Sequence, residues 1–189
     1  KGEEVIEREF YVNVPKISLP NIAAIKPVTY DSQLTAAPAR NICDNDLTTS
    51  WATATNVTDT SRLWVCVDLG NSLSKEFNLG CIRIYTSSNS PKITGYKIMV
   101  SSDNQNYKTV YTGTAALPAA NTWFDINFSA VSGRYIKFQV TAITSHQVGF
   151  TEIQAFEEFP IVENVSVSGQ PSVGSQLSVA YHYNKNTAS

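Results

Sequence analysis

Between residues 17 and 159 the chain is cut into short runs of alternating apolar and polar residues, each closed by a turn signal, and no long stretch keeps a helical period. The runs 62–69 (RLWVCVDL), 79–85 (LGCIRIY), 96–100 (YKIMV), 108–111, 123–128 and 134–140 (RYIKFQV) are strand-length, with Gly70, Pro91 and the polar stretch 103–106 between them. A period of two puts one face of each strand against a core, and many short strands of this kind pack as two sheets. An α/β fold lacks its helices here. The predicted fold class is all-β, an antiparallel β-sandwich or jelly roll with room for one short helix.

The pattern changes at both ends. Residues 4–14 alternate Ile6, Phe10, Val12 and Val14 against Glu7, Glu9, Tyr11 and Asn13 up to Pro15. This reads as one amphipathic strand, so residues 1–16 are expected to be the last strand of an upstream β domain or a linker. After Pro160, two alternating runs joined by a Gly/Pro turn make 160–189 the expected start of a downstream β domain. Residues 17–159 then form a whole domain, and a chain of 189 residues with 42% hydrophobic and 11% aromatic residues supplies a full core for it.

Several function classes are excluded by composition. A formal net charge of −2 without a basic stripe gives no electrostatic footprint for nucleic acid or an anionic membrane. The longest apolar runs are strand-length. Three cysteines, Cys43, Cys66 and Cys81, form no C-x-x-C pair and argue against a disulfide framework or a zinc site. They read as small buried residues, with a Cys66–Cys81 bridge left open. With two histidines and no G-x-S-x-G, H-E-x-x-H, P-loop or dinucleotide motif, no catalytic constellation is visible.

One run does carry chemistry. Residues 41–51 (NICDNDLTTSW) gather oxygen ligands around a tight turn, with carboxylates on Asp44 and Asp46 and a hydroxyl on Thr49. That set suits a hard cation, Ca²⁺ first. An EF-hand is excluded, because its turn position holds Thr49 in place of Gly and its last ligand position holds Thr55 in place of Glu. The other local reading is an Asx-rich surface turn without metal, since Asp and Asn bond their own backbone. Local sequence leaves both open.

Taken in order, 44–51 (DNDLTTSW), 64–70 (WVCVDLG), 82–84 (IRI), 95–98 (GYKI) with 101–103 (SSD), 133–137 (GRYIK) and 151–156 (TEIQAF) resemble the discoidin, or factor V/VIII type C, family over residues 18–159. The bacterial family 32 carbohydrate-binding modules are its most similar branch. The resemblance implies an eight-stranded antiparallel jelly roll. It also implies a structural Ca²⁺ held by Asn41, Asp44, Asp46, Thr49, Thr151 and Glu152, tying the loop to the last strand. Asn45 stands where the family has Gly and tolerates the same left-handed conformation. An ion saturated by protein has no open position for catalysis.

The implied function is a non-catalytic carbohydrate-binding module in a secreted or cell-surface bacterial enzyme that degrades polysaccharide or glycan, a hydrolase or lyase. The module is expected to be a monomer within a larger chain flanked by immunoglobulin-like domains. Sugar-binding members use loops at one end, where an aromatic ring meets C–H patches and polar side chains bond hydroxyls. The loops 52–62, 86–92 and 144–150 offer Asn56, Arg62, Asn89, Lys92, His146 and Gln147 as ligand contacts. Plainer roles compete: Arg62 at a strand edge, Lys92 as a solvated charge, His146 as a loop tip. Phe150 is expected in the core, Trp51 packed beside the metal loop, and Trp123 partly exposed. The galactose-binding members' full set of Arg, Asn and exposed aromatic is not found. Two other functions compete, a lipid- or cell-surface-binding discoidin module and a spacer that binds nothing. No loop joins apolar spikes to basic neighbours, which weighs against the lipid reading.

Overall fold

Every one of these central runs becomes a strand in the computed structural model, which describes residues 20–70, 76–157, 161–168 and 178–184. In chain order the strands are β1 (Val28–Tyr30), β2 (Trp51–Ala52), β3 (Trp64–Asp68), β4 (Phe77–Tyr85), β5 (Ile93–Ser101), β6 (Lys108–Gly113), β7 (Trp123–Gly133), β8 (Tyr135–Ile143), β9 (Gly149–Phe150), β10 (Glu152–Glu157), β11 (Ile161–Ser168) and β12 (Ser178–Asn184). Helical structure among the described residues is confined to three short 3-10 segments, Ala39–Cys43, Thr60–Arg62 and Ser90–Lys92.

A five-stranded sheet in the order β1-β3-β8-β5-β6 packs on a three-stranded sheet in the order β10-β4-β7. All pairings are antiparallel, so the two sheets form the expected eight-stranded sandwich. Alternate residues fill the space between them. Val65, Val67, Ile98, Val100, Ile136, Phe138 and Val140 from one sheet meet Ile82, Ile84, Ile126 and Ile153 from the other, none more than 2% exposed. Burying each such side chain contributes about 1.5–3 kcal/mol against the entropy of ordering the chain. A ladder of rings runs from Tyr96 through Phe138 and Phe150 to Trp51, with centroids 5.3, 5.1 and 5.4 Å apart. It links the centre of the large sheet to β2 and β9.

Some elements are hidden from a pattern reading. The bulges around Gly95 break the alternation that would have extended 96–100 back to Ile93. β1 is short and lies between Pro27 and Asp31, and β2 and β9 have two residues each. The three cysteines are buried and free. Cys66 lies on β3 and Cys81 on β4, in different sheets, which closes the open question of a bridge between them.

Entry and exit are tied together. Asn21 Oδ1 accepts the N–H groups of Ala23 and Ala155 at 3.0 and 3.1 Å, and the Ile22 N–H donates to Ala155 O at 3.0 Å. The strand expected over residues 4–14 lies outside the described residues. The two runs expected after Pro160 are β11 and β12, paired antiparallel with a bulge between Glu163 and Ser166.

Candidate functional site: the cation loop and the loop end

The turn that follows the 3-10 segment Ala39–Cys43 is shaped by its own carboxylates. Asp44 Oδ1 accepts the Asp46 N–H at 2.9 Å, and Oδ2 accepts the Thr49 hydroxyl at 2.8 Å. Asp46 Oδ1 accepts both the N–H and the hydroxyl of Thr48, at 2.8 and 2.6 Å, and the Thr48 hydroxyl holds that carboxyl below its usual range. Asn45 sits at φ 62°, in the left-handed region that Asn tolerates. Asn41 donates from Nδ2 to Ser50 O at 3.0 Å. Alone, these bonds describe the metal-free Asx turn.

Glu152 changes that picture. The first residue of β10, it is fully buried, and neither carboxylate oxygen has a hydrogen-bond partner. Burial foremost, then the charge of Asp44 and more weakly that of Asp46, pushes its pKa up to about 8. The Asn45 N–H lies near enough to oppose that rise without reaching hydrogen-bond geometry. Burial, reinforced by Glu152 and Asp44, also pushes the Cys43 thiol up, so the sulfur stays protonated and is a poor ligand. Neighbouring Thr151 is buried, and its N–H bonds Tyr85 O at 2.9 Å.

A buried, undonated carboxylate facing other carboxylates is costly unless a proton or a cation neutralises it. Among the described residues no three His, Cys, Asp or Glu side chains form a metal cluster by themselves. An ion here would therefore draw on Thr49 and main-chain carbonyls as well. An all-oxygen set of that kind fits Ca²⁺ in its chemistry.

The second feature is an end of the sandwich where loops meet. β2 pairs with β9 through Trp51↔Phe150 and Ala52↔Gly149, which lays 52–62 against 144–150. The Thr53 N–H donates to Val148 O at 2.8 Å, and the Val148 N–H to Thr53 Oγ1 at 3.1 Å. Segment 86–92 joins them through Ser90 Oγ on Gly149 O at 2.9 Å and the Thr144 N–H on Lys92 O at 2.9 Å. A Cβ on Gly149 would stand 2.0 Å from Trp51 O, so only glycine permits this approach. Segment 114–122 arrives at the same end, with the Leu117 N–H on Ile93 O at 3.1 Å and the Thr122 N–H on Thr86 Oγ1 at 3.0 Å.

All three loops read from the sequence are thus hydrogen-bonded together at this end, and two of them, 52–62 and 144–150, border an open cleft of about 240 Å³ lined by Thr58, Ile143, Thr144, Ser145 and His146. Of the six residues proposed for ligand contact, only His146 lines the cleft. Asn56 is exposed at φ 67°. Arg62 reaches Asp31 Oδ1 at 3.4 Å across an exposed surface, and Lys92 Nζ donates to Asn89 Oδ1 at 2.7 Å. Gln147 is half-buried beside the cleft residues. Thr58 and Ser145 are not legible in the sequence, since small hydroxyls in a Thr/Ser-rich loop give no signal. Trp51 and Phe150 are wholly buried, and the Trp51 indole donates to Ser32 O at 2.9 Å.

A model of the F5/8 type C domain matches residues 22–156. The chain belongs to the F5/8 type C family. Solved structures place it near the bacterial carbohydrate-binding members. The V110M variant of chitosan-binding module 1 from a Paenibacillus sp. IK-5 chitosanase/glucanase is 26% identical, with a TM-score of 0.60 over 74% of this chain and 99% of that one. The family 32 carbohydrate-binding module of Clostridium perfringens NanJ, solved with galactose, is 22% identical, with a TM-score of 0.62 over 74% and 98% of the two chains. Chitosan-binding module 2 of the same Paenibacillus enzyme, solved with chitotriose, is 21% identical, with a TM-score of 0.61 over 72% and 99%. In this F5/8 type C domain the 44–49 turn follows the first strand and Glu152 opens β10 near the end of the matched segment, so the two bring distant parts of the chain together.

Proposed function

We propose that residues 17–159 are a non-catalytic carbohydrate-binding module that recognises its glycan at the loop end. The observation that carries this reading is the hydrogen-bonded meeting of 52–62, 86–92 and 144–150 at one end of the sandwich, with the His146 cleft between the first and the last of them. A rigid scaffold presenting variable loops at one end is a common way to build a recognition surface. The similar structures bound to galactose or chitotriose support carbohydrate as the ligand class. Structural Ca²⁺ at Asp44, Asp46, Thr49 and Glu152, with carbonyls of Asn41 and Thr151, belongs to the same proposal; its support is the orphaned Glu152 carboxylate. So do secretion by a bacterium, a polysaccharide-degrading parent enzyme, and β domains on both flanks.

Affinity electrophoresis of the folded protein in Ca²⁺ against a panel of bacterial, plant and animal polysaccharides tests the ligand class. Retention on at least one, weakened roughly tenfold by His146→Ala, supports the loop end. Free migration on every polysaccharide overturns the binding function. A second reading, a spacer without ligand, is favoured by one observation: among the described residues no Phe, Tyr or Trp lines the cleft.

A further inference from the structure

On the outer face of the three-stranded sheet, register brings together two rows that the loop-end reading does not use. Tyr85 pairs across the sheet with Trp123, and Arg83 pairs with Asp125 on one side and Gln154 on the other. The rings of Tyr85 and Trp123 are half-buried, 5.0 Å apart and tilted 57°, so they form a shallow aromatic corner. The Arg83 guanidinium lies 5.1 Å from the Trp123 ring centroid and is held there by Nε on Asp125 Oδ1 at 2.5 Å. Its terminal nitrogens and the Gln154 amide have no partner among the described residues. Asn127, exposed on β7, continues the face one row further.

We propose that this face is a second glycan-binding surface, for an uncharged oligosaccharide. It rests on the reading of the module as carbohydrate-binding but uses none of the cleft residues. An aromatic corner offers stacking for sugar C–H groups, and guanidinium and amide groups beside it supply directional partners for hydroxyls. The charge pattern selects the class: Arg83 and Asp125 cancel each other, and Glu152, paired with Tyr85 in the first row, is fully buried, so no net exposed charge favours a polyanion or a polycation. The face also runs on from the loop end. Tyr85 directly precedes segment 86–92, and Trp123 directly follows Thr122, whose N–H bonds Thr86 Oγ1. Three rows spaced two residues apart span about 13 Å along the strands, enough for more than one sugar ring.

Nuclear magnetic resonance titration of the ¹⁵N-labelled protein in Ca²⁺ with neutral hexasaccharides, gluco-, galacto- and N-acetylglucosamine-based, reads both surfaces at once. The three tryptophan indoles act as separate reporters. The proposal expects the Trp123 indole and the Arg83 and Gln154 amides to shift with at least one sugar. These shifts persist in His146→Ala and weaken roughly tenfold in affinity in Trp123→Ala, followed through Gln154, and in Arg83→Ala. Shifts confined to residues 143–147 overturn the second surface and leave the loop end standing. Shifts confined to the sheet face support the second surface and sink the loop end. No shift at the sheet face with any sugar, in protein whose spectrum shows it folded, overturns the proposal.

Discussion

Glu152 is the residue at which the sequence, the fold and the proposed ion meet. Its carboxyl is protonated more readily in the folded, metal-free protein than in the unfolded chain, because burial and the Asp44 charge raise its pKa to about 8. The folded state therefore binds more protons than the unfolded one between the ordinary Glu range and pH 8. Stability of calcium-free protein should fall as pH rises through that window and level off above it. At the proposed Ca²⁺ site the ion would replace the proton, so the slope is expected to disappear when the ion is saturating. Melting curves in EDTA and in Ca²⁺ across pH 5–9 check this, and Glu152→Gln should abolish both the slope and the calcium response. With free Ca²⁺ at a hundredfold excess over its dissociation constant, linkage contributes about 2.7 kcal/mol. Ile25 is strained in another way: it holds φ 54° while 71% exposed, an unusual conformation for a β-branched residue.

At the scale of elements, the short β2–β9 ladder matters beyond its length. It fixes two of the converging loops to each other, and its contact with Trp51 O leaves no room for a side chain at Gly149. Gly149→Ala is expected to lower stability by about 1–3 kcal/mol, as overpacking does, and to weaken glycan retention together with it. Chemical denaturation and affinity electrophoresis of the same variant measure the two effects. The sequence could not disclose this ladder, because two-residue strands carry no period. Longer strands such as β4 and β8 were legible from alternation alone, since each has one face in the core. The Asp44 turn was legible as an oxygen-rich loop, whereas its meeting with Glu152 came only from the family pattern. The Tyr85 and Trp123 corner was invisible, because strand register decides which exposed residues become neighbours.

As a whole, the proposed function separates holding from recognising. The 44–49 turn faces Glu152 at the start of β10, the Asn21 clamp ties entry to exit, and the aromatic ladder reaches from the large sheet to β2 and β9 at the loop end. Arg134 makes two bonds to Asp68, at 2.7 and 2.8 Å, and holds that carboxyl below its usual range. Asp68 also accepts the Gly70 N–H at 3.0 Å, so it closes the end of β3. The cleft is small beside ordinary ligand pockets, which suits a glycan terminus or a short chain segment more than an enclosed substrate. The most direct measurement is a crystal structure of the protein grown in Ca²⁺ and soaked with an oligosaccharide from a polysaccharide that retains it. The account predicts sugar density at the loop end, between Thr58 and His146. Well-ordered loops without sugar there, in protein that binds the same oligosaccharide in solution, would contradict it.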